Sequence, residues 1–380
     1  MKKICVKILG NEKTQFIAIP VFSILLSLIV GMIIIGALGK YPLTAYMNLL
    51  QGSGLLPKPA YSAYQGMLTD FTSFLNMLTP MMFAALSVAV AQKAGLFNIG
   101  VSGQMLAAGF IATVTVGYSE LPAAVAKPLV LLIGIAVGML VGALVGFLKY
   151  KFNINEVVST IMINYIVQYL TSFFINTRYI DEISRQSKAV SRASRLTLMQ
   201  VPIGNLKVDL PLCIILAVLI AILMKFLLDR TSLGFEIKAV GSNRNAARYA
   251  GISVGKTMVV SMMISGALAG LAGVTYYMGY LESIQPKVLA STGFDAIAVA
   301  LLGNNNPIGV IFSSFLITGV TKGSSYMSAA SGIETEIASV ITGLILLFSA
   351  CSAFIRYEVK KWKTELEEAE RRNVDVKNNH

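Results

Sequence analysis

The sequence predicts an all-α, polytopic membrane protein of about ten transmembrane or half-membrane helices, with both termini in the cytoplasm. Three observations carry that prediction. Apolar runs of about 20 residues, the length at which a helix crosses a bilayer core, recur from end to end. Only 13% of the residues are charged and 55% are hydrophobic, with mean hydropathy +0.71, whereas a soluble domain carries roughly 25% charged residues. The chain also holds 32 glycines, which suit close helix–helix approach in lipid.

The candidate spans are 16–38, 76–93, 103–118, 128–149, 155–176, 210–228, 257–280, 289–303, 307–327 and 333–355. An even number puts both termini on one side, and Lys2, Lys3, Lys7 and Lys13 assign that side to the cytoplasm. Segment 1–15 is then a cytoplasmic leader into a transmembrane domain over 16–355, and 356–380 is a cytoplasmic tail. Lys149, Lys151, Arg230, Lys238, Arg244, Arg248 and Lys256 also fall inside. One loop runs against the positive-inside bias: 177–209 carries six basic residues and lies outside, and the bias weakens with loop length.

Each element has its own reason. The run from Phe16 to Leu38 is longer than a signal-peptide core, so Ala37-Leu38-Gly39 is read as the end of an uncleaved first span. Outside segment 39–75, with Tyr41, Tyr46, Tyr61 and Tyr64 among prolines, suits the headgroup level. Outside segment 177–209 is polar and is either a landing rim for an external protein or a solvated loop. The tail mixes basic residues with Glu365, Glu367, Glu368 and Glu370, in the pattern of a short soluble helix that frays by Asn378.

The most polar interior stretch is the inside loop 229–256. Ser242 or Asn243 can cap a helix there, Asn245, Ala246, Ala247, Arg248, Tyr249 and Ala250 give about two turns, and Gly251 stands where helices end in a left-handed residue. A capped basic helix between two spans is a docking surface for a soluble partner.

Polar residues inside the apolar runs mark the remaining candidates. In 94–109, Gly95, Gly100 and Gly103 loosen the backbone while Asn98, Ser102 and Gln104 bring polar groups to membrane depth. This is either a broken helix beside a translocation path or a tight turn with a cap at Ser102. Segment 289–303 is too short for a span. Thr292 and Asp295 are spaced as a capping box, so a half-helix starts there, and Asp295 either faces a solute or only satisfies the cap. Glu156, Asn164 and Gln168 form a stripe on one helix face, lining a pathway or bonding between helices.

Several function classes are excluded or weakened. The one histidine, His380, ends the chain, and no clustered acids accompany it, which leaves an enzyme without a catalytic constellation. No metal set is apparent. Cys5, Cys213 and Cys351 imply no disulfide framework. No GxxxxGK[ST] pattern is present, so the chain needs no cofactor of its own and any ATP is hydrolysed on another subunit. The net charge of +12 sits in loops and tails, as orientation demands, and implies no nucleic acid.

Four stretches together carry a resemblance. Gly95-Leu96-Phe97-Asn98-Ile99-Gly100 with Gly103-Gln104 is the first. Asn155-Glu156-Val157-Val158-Ser159-Thr160 with Asn164-Tyr165 is the second. Gly241-Ser242-Asn243 with Ala246-Ala247-Arg248-Tyr249-Ala250-Gly251-Ile252 is the third, and Phe294-Asp295-Ala296-Ile297-Ala298-Val299-Ala300-Leu301-Leu302-Gly303 the fourth. In this order they resemble the permease subunits of bacterial ABC importers in the ribose and branched-chain amino-acid permease superfamily. The long outside loop and the N-E-V-V-S-T segment resemble its nucleoside branch. The chain departs from the family at Ser102, where a Glu is usual.

The resemblance implies a pathway for nucleosides delivered by an extracellular, lipid-anchored binding protein. It also implies a partner ATP-hydrolysing subunit and a second, unlike permease. Asn98, Gln104, Asn164 and Asp295 are then candidates for the substrate pathway. Asn243, Asn245, Ala247, Arg248 and Tyr249 are candidates for coupling to the ATPase. The same machinery carrying ribose or another simple sugar is the first alternative; a stand-alone channel or facilitator is the second.

Overall fold

The computed structural model describes residues 15–334, 336–350, 357–362 and 364–365. These are overwhelmingly helical. Five helices are long and apolar enough to cross a membrane, and Val21–Ala37 with Pro42–Gly52 passes the same test as a bent pair. The chain is therefore a polytopic membrane protein. Two compact units arise, Met1–Met47 with Met327–His380, and Asn48–Tyr326.

In the smaller unit, α1 (Gln15–Ala37) packs against α13 (Glu336–Ala350), and the Ser23 hydroxyl donates to the Phe348 carbonyl. Tyr46, on α2 (Pro42–Gly52), donates to the Leu28 carbonyl at 2.8 Å. The tail is helical over 357–362; the expected fraying at Asn378 lies outside the described residues, as do Cys5 and Cys351.

The larger unit is built on α3 (Met67–Lys93), α4 (Val101–Ala112), α5 (Ala123–Phe152), α6 (Glu156–Phe174) and α10 (Val254–Thr275). Helix α10 is the hub and packs on α5, α3 and α4. Its seam with α5 is made of glycines one turn apart. A Cβ on Gly138 would stand 2.1 Å from the Gly266 carbonyl, and one on Gly270 1.9 Å from that of Gly134. Backbones meet directly there, the approach small residues permit in lipid. After α10 come α11 (Thr292–Leu302) and α12 (Pro307–Ser331), joined by a turn in which Asn304 and Asn305 are left-handed.

Over the described residues, each of the ten apolar runs falls on a helix, with shifted ends. Helix α3 begins at Met67 rather than 76, because its first turns carry Thr69, Asp70, Thr72 and Ser73, which hide its start from a hydropathy reading. Asp70 is paired with Lys58 at 2.7 Å. The outside segment 39–75 therefore contains α2 and two turns of α3.

Three helices change pitch at one end of the bundle. Helices α4, α6 and α10 each finish in a π-helical turn, Thr113–Gly117, Ile175–Tyr179 and Tyr276–Tyr280. The polar segment 177–209 folds onto those turns. Ser191 N–H donates to Gly117, Val190 N–H to Glu282 and Leu196 N–H to Met278. Val190 and Leu196 enter a core with Val116, Val274 and Met278. Arg195 is 4% exposed, ion-paired with Glu282 at 2.7 Å and bonded to the Gly279 carbonyl. In the Asp181 turn, backbone N–H groups of Ser184 and Ile183 hold the carboxyl below its usual range. The segment is thus a fitted cover. Its second half is an antiparallel hairpin, β1 (Thr197–Ile203) and β2 (Leu206–Pro211), turning at Gly204 with φ 60°. For that reason α7 (Cys213–Arg230) starts after Pro211 and not at 210.

Candidate functional site

At the other end of the bundle, the expected loop 229–256 is helical over most of its first half: Thr231 caps α8 (Ser232–Ser242) by accepting from Gly234 N–H at 3.1 Å. Gly234 lets α8 turn back on α7, since a Cβ there would lie 2.1 Å from the Leu227 carbonyl. The next helix, α9 (Arg244–Tyr249), is capped by Asn243, whose Oδ1 accepts from Asn245 and Ala246 N–H at 2.9 and 3.0 Å. Ser242, the other candidate cap, ends α8. Gly251 follows at φ 82°, the left-handed stop that the sequence placed there.

The five residues singled out on this segment divide by exposure. Ala247 is 3% exposed and sits in a core with Ala94, Leu96, Ile237, Val240 and Val254. Asn243, Asn245 and Arg248 are exposed, and Tyr249 is 94% exposed. One apolar anchor therefore holds a short helix that leaves Asn245, Arg248 and Tyr249 exposed. A groove of about 590 Å³ runs beside it, lined by Arg248, Phe147, Tyr150, Ile252 and Lys256. A second of about 340 Å³, which shares Ile252 and Lys256 with the first, is also lined by Leu233, Glu236 and Thr257.

Helices α8 and α9 rest on the turn that follows α3. Gly95 there has φ 67°, and Gly241 packs so closely that a Cβ would lie 2.1 Å from the Lys93 carbonyl. Arg244 reaches over α9 and donates to the Gly95 carbonyl at 3.1 Å. Any displacement of α9 therefore bears on the start of the 95–104 segment.

That segment is held by a closed polar knot. Asn98 and Gln104 are fully buried and Asn164 is 3% exposed. Asn98 Nδ2 donates to Gln104 Oε1 at 3.0 Å and to Ser265 Oγ at 2.9 Å, while its Oδ1 accepts from Gly100 N–H at 3.0 Å. Ser265 donates to the Ser87 carbonyl on α3. Asn164, on α6, accepts from Gly103 N–H at 2.8 Å and donates to the Ile99 carbonyl at 3.1 Å. Four helices are pinned around one irregular loop, whose backbone groups must be satisfied by protein. Asn98→Leu leaves Gln104 and Ser265 short of a partner, at a cost on the order of 3 kcal/mol. A clearly lower unfolding temperature of the purified protein in detergent is the expected result.

The cap expected at Ser102 is absent. Gly100 precedes α4, and Ser102 Oγ instead donates to the Ala290 carbonyl at 2.9 Å. A Cβ on Gly293 would lie 2.3 Å from that hydroxyl, so there is no room here for the longer Glu side chain usual in the family. The Thr292–Asp295 capping box does not form either: Ser291 flanks α11, and its carbonyl accepts from Asp295 N–H at 2.9 Å. Asp295 is half-buried. Of the helix stripe, Glu156 is ion-paired with Lys149 at 2.9 Å, and Gln168 donates to the Lys287 carbonyl at 2.6 Å. Asn155 caps α6 through Val157 N–H. Sequence reasoning missed Ser265; the signal was Ser261 and Ser265 one turn apart inside an apolar run.

The four candidate pathway residues thus separate in the fold. Asn98, Gln104 and Asn164 meet in the knot, and Asp295 stands apart on α11. Among the described residues no cluster of metal-ligating side chains occurs.

Comparison with known proteins adds the following. Residues 71–350 match the family model described as branched-chain amino acid transport system / permease component. The nucleoside ABC transporter permease protein NupB of Lactococcus lactis subsp. cremoris is 35% identical over 363 residues, 93% of this chain and 96% of that one. The guanosine ABC transporter permease protein NupP of Bacillus subtilis is 36% identical over 354 residues, covering 93% and 98%. The glucose ABC transporter permease protein TsgB13 of Haloferax volcanii is 29% identical over 350 residues, covering 90% and 89%. No solved structure matches.

Proposed function

The chain belongs to the branched-chain amino acid transport system permease family, and from that membership we propose that it forms the membrane path of an ATP-driven importer for nucleosides. The near end-to-end likeness to two nucleoside permeases carries this reading. The glucose permease is less similar, which ranks sugars second. The chain is a multi-pass protein of the cell membrane.

In this reading both termini and α9 face the cytoplasm, and the cover over 180–211 faces outward, where the binding protein delivers its solute. ATP is bound and hydrolysed on a separate subunit that docks on Asn243, Asn245, Arg248 and Tyr249, with Ala247 as the buried foot. Three features support that assignment: an exposed capped helix, an apolar anchor, and a groove alongside it. Closing the ATPase subunits pushes α9, and the Gly95–Gly241 contact carries the push to the knot at Asn98, Gln104 and Asn164. These three brace the broken helix that borders the path, and Asp295 faces the path itself. A second, unlike permease completes it.

The test is uptake of labelled uridine or guanosine by cells carrying this chain with its co-encoded partners, in excess ribose or leucine. The expected outcome is ATP-dependent uptake blocked only by unlabelled nucleosides. Blockade by ribose moves the substrate to sugars. Uptake without ATP or partners refutes the importer.

A further inference from the structure

We propose that residues 180–196 are a shared cap that locks the outer ends of α4, α6 and α10 into one block and stays shut during transport, so that solute enters beside the block and not through it. That the block stays shut during transport rests on the nucleoside-importer reading; that it is a block rests on its contacts alone.

A helix leaves its last four carbonyls without intrahelical partners. Near a membrane such groups must be met by protein or water. Three helices end against this one segment, and it donates to each of them. At the end of α4, Ser191 N–H bonds to the Gly117 carbonyl at 2.9 Å and Ser194 Oγ to the Val116 carbonyl at 2.9 Å. Where α6 stops, Lys188 N–H bonds to the Tyr179 carbonyl at 2.8 Å. At the end of α10, Leu196 N–H bonds to the Met278 carbonyl at 2.9 Å and Arg195 Nη2 to that of Gly279 at 3.2 Å. Arg195 thus sets a buried cation at a helix C-terminus, the end that favours positive charge. Its other nitrogen, Nη1, holds Glu282, just past the same helix end, at 2.7 Å.

The same segment is tied by other means. Val190 and Leu196 sit in the apolar core with Val116, Val274 and Met278. Ser187 N–H bonds to the Ile284 carbonyl at 3.0 Å, and Ser187 Oγ accepts from Ile284 N–H at 2.9 Å. The Tyr118 and Tyr179 rings, which follow α4 and α6, lie with centroids 5.7 Å apart, and the Tyr118 hydroxyl donates to the Lys188 carbonyl at 3.1 Å. Next along the chain, Thr197 donates to Asn76 on α3 at 2.9 Å. Lids are drawn from the weakly bonded parts of a fold, with few buried apolar contacts. This segment is the opposite. Lifting it would strip three helix ends of partners at once, break an ion pair and uncover two apolar side chains.

The experiment bridges the cap to the chain after α10. Gln186 and Ser283 bond to each other through their side chains, so Gln186→Cys and Ser283→Cys are introduced together, with Cys5, Cys213 and Cys351 replaced by alanine. Copper phenanthroline closes the bridge, dithiothreitol opens it, and maleimide mass tagging counts the free thiols. Uridine uptake by the complete transporter in cells is expected to stay within about twofold of the reduced form, because no opening is lost. Uptake that stops on bridging and returns on reduction would overturn the inference and make the segment a lid. Hydrogen exchange of the purified chain in detergent gives a second reading that needs no transport. Peptides over 187–196 are expected to be protected like α10, and Arg195→Met to speed their exchange by about tenfold through the lost charge-assisted bonds. Exchange in the parent as fast as in an unstructured loop would overturn the cap whatever uptake shows. A parent chain that moves no nucleoside would sink the importer reading instead, and exchange would then decide the cap alone.

Discussion

Arg248→Glu is expected to drop nucleoside uptake about 100-fold while the protein still reaches the membrane at its usual level. The argument separates what holds α9 from what α9 presents. Asn243 caps it and Ala247 anchors it, whereas Arg248 is exposed. A glutamate in the last turn opposes the helix dipole by about 0.3–1 kcal/mol, too little to unfold an anchored helix. The loss falls on the docking surface. Arginine is prominent among the few residues that dominate interfaces, where removal costs roughly 2 kcal/mol or more and reversal adds repulsion. Two assays check the outcome: radiolabelled uptake, and recovery of the ATPase subunit with tagged permease. Ala247→Asp is the contrasting variant. It places a charge in the apolar core, so membrane content should fall along with uptake. Normal uptake by Arg248→Glu would refute the coupling assignment.

Much of this architecture is readable from residue order because lipid enforces a simple code. Wherever a run is apolar for about 20 residues, backbone satisfaction leaves helix as the solution. The α9 cap and its stop at Gly251 were readable for a local reason, since both are satisfied within a few residues. What stayed hidden depends on distant partners. The start of α3 carries Asp70, and only the fold brings Lys58 to it. Segment 180–196 looks solvated because it is rich in Ser and Arg, yet its backbone bonds to helix ends that lie far away in sequence, and Arg195 meets Glu282. Thr292 and Asp295 have the spacing of a capping box, but α11 already begins at Thr292, while Ser291 takes the flanking position and its carbonyl accepts from Asp295 N–H. Asn98, Gln104 and Asn164 announced themselves as polar groups at depth. The further partner of Asn98, Ser265, lies 167 residues along the chain, an interval that no periodicity reveals.

Gly138→Leu is expected to abolish recovery of folded transporter, the largest stability effect at any single position considered. Helices α5 and α10 touch backbone to backbone along the seam set by Gly134, Gly138, Gly142 and Gly146. Even a Cβ at Gly138 would stand 2.1 Å from the Gly266 carbonyl and 2.8 Å from the Gly270 backbone. Neither neighbour is a flexible side chain that can swing aside, so the helices must separate. Two effects then compete in Gly138→Ala. Alanine favours helix over glycine by about 1 kcal/mol. Against that, overpacking costs about 1–3 kcal/mol and parts a seam on which α3 and α4 also depend through α10. The overlap is with main chain and the seam is continuous, so the steric term wins: Gly138→Ala is destabilised and Gly138→Leu fails. Gly343 on α13 is the control, because no atom lies within 4 Å of its added Cβ. Gly343→Leu should leave the monodisperse fraction in detergent unchanged, while Gly138→Leu should lose it. Equal recovery of the two variants would mean that α5 and α10 are not joined by their backbones, and α10 would lose its place as the hub on which α3, α4 and α5 pack.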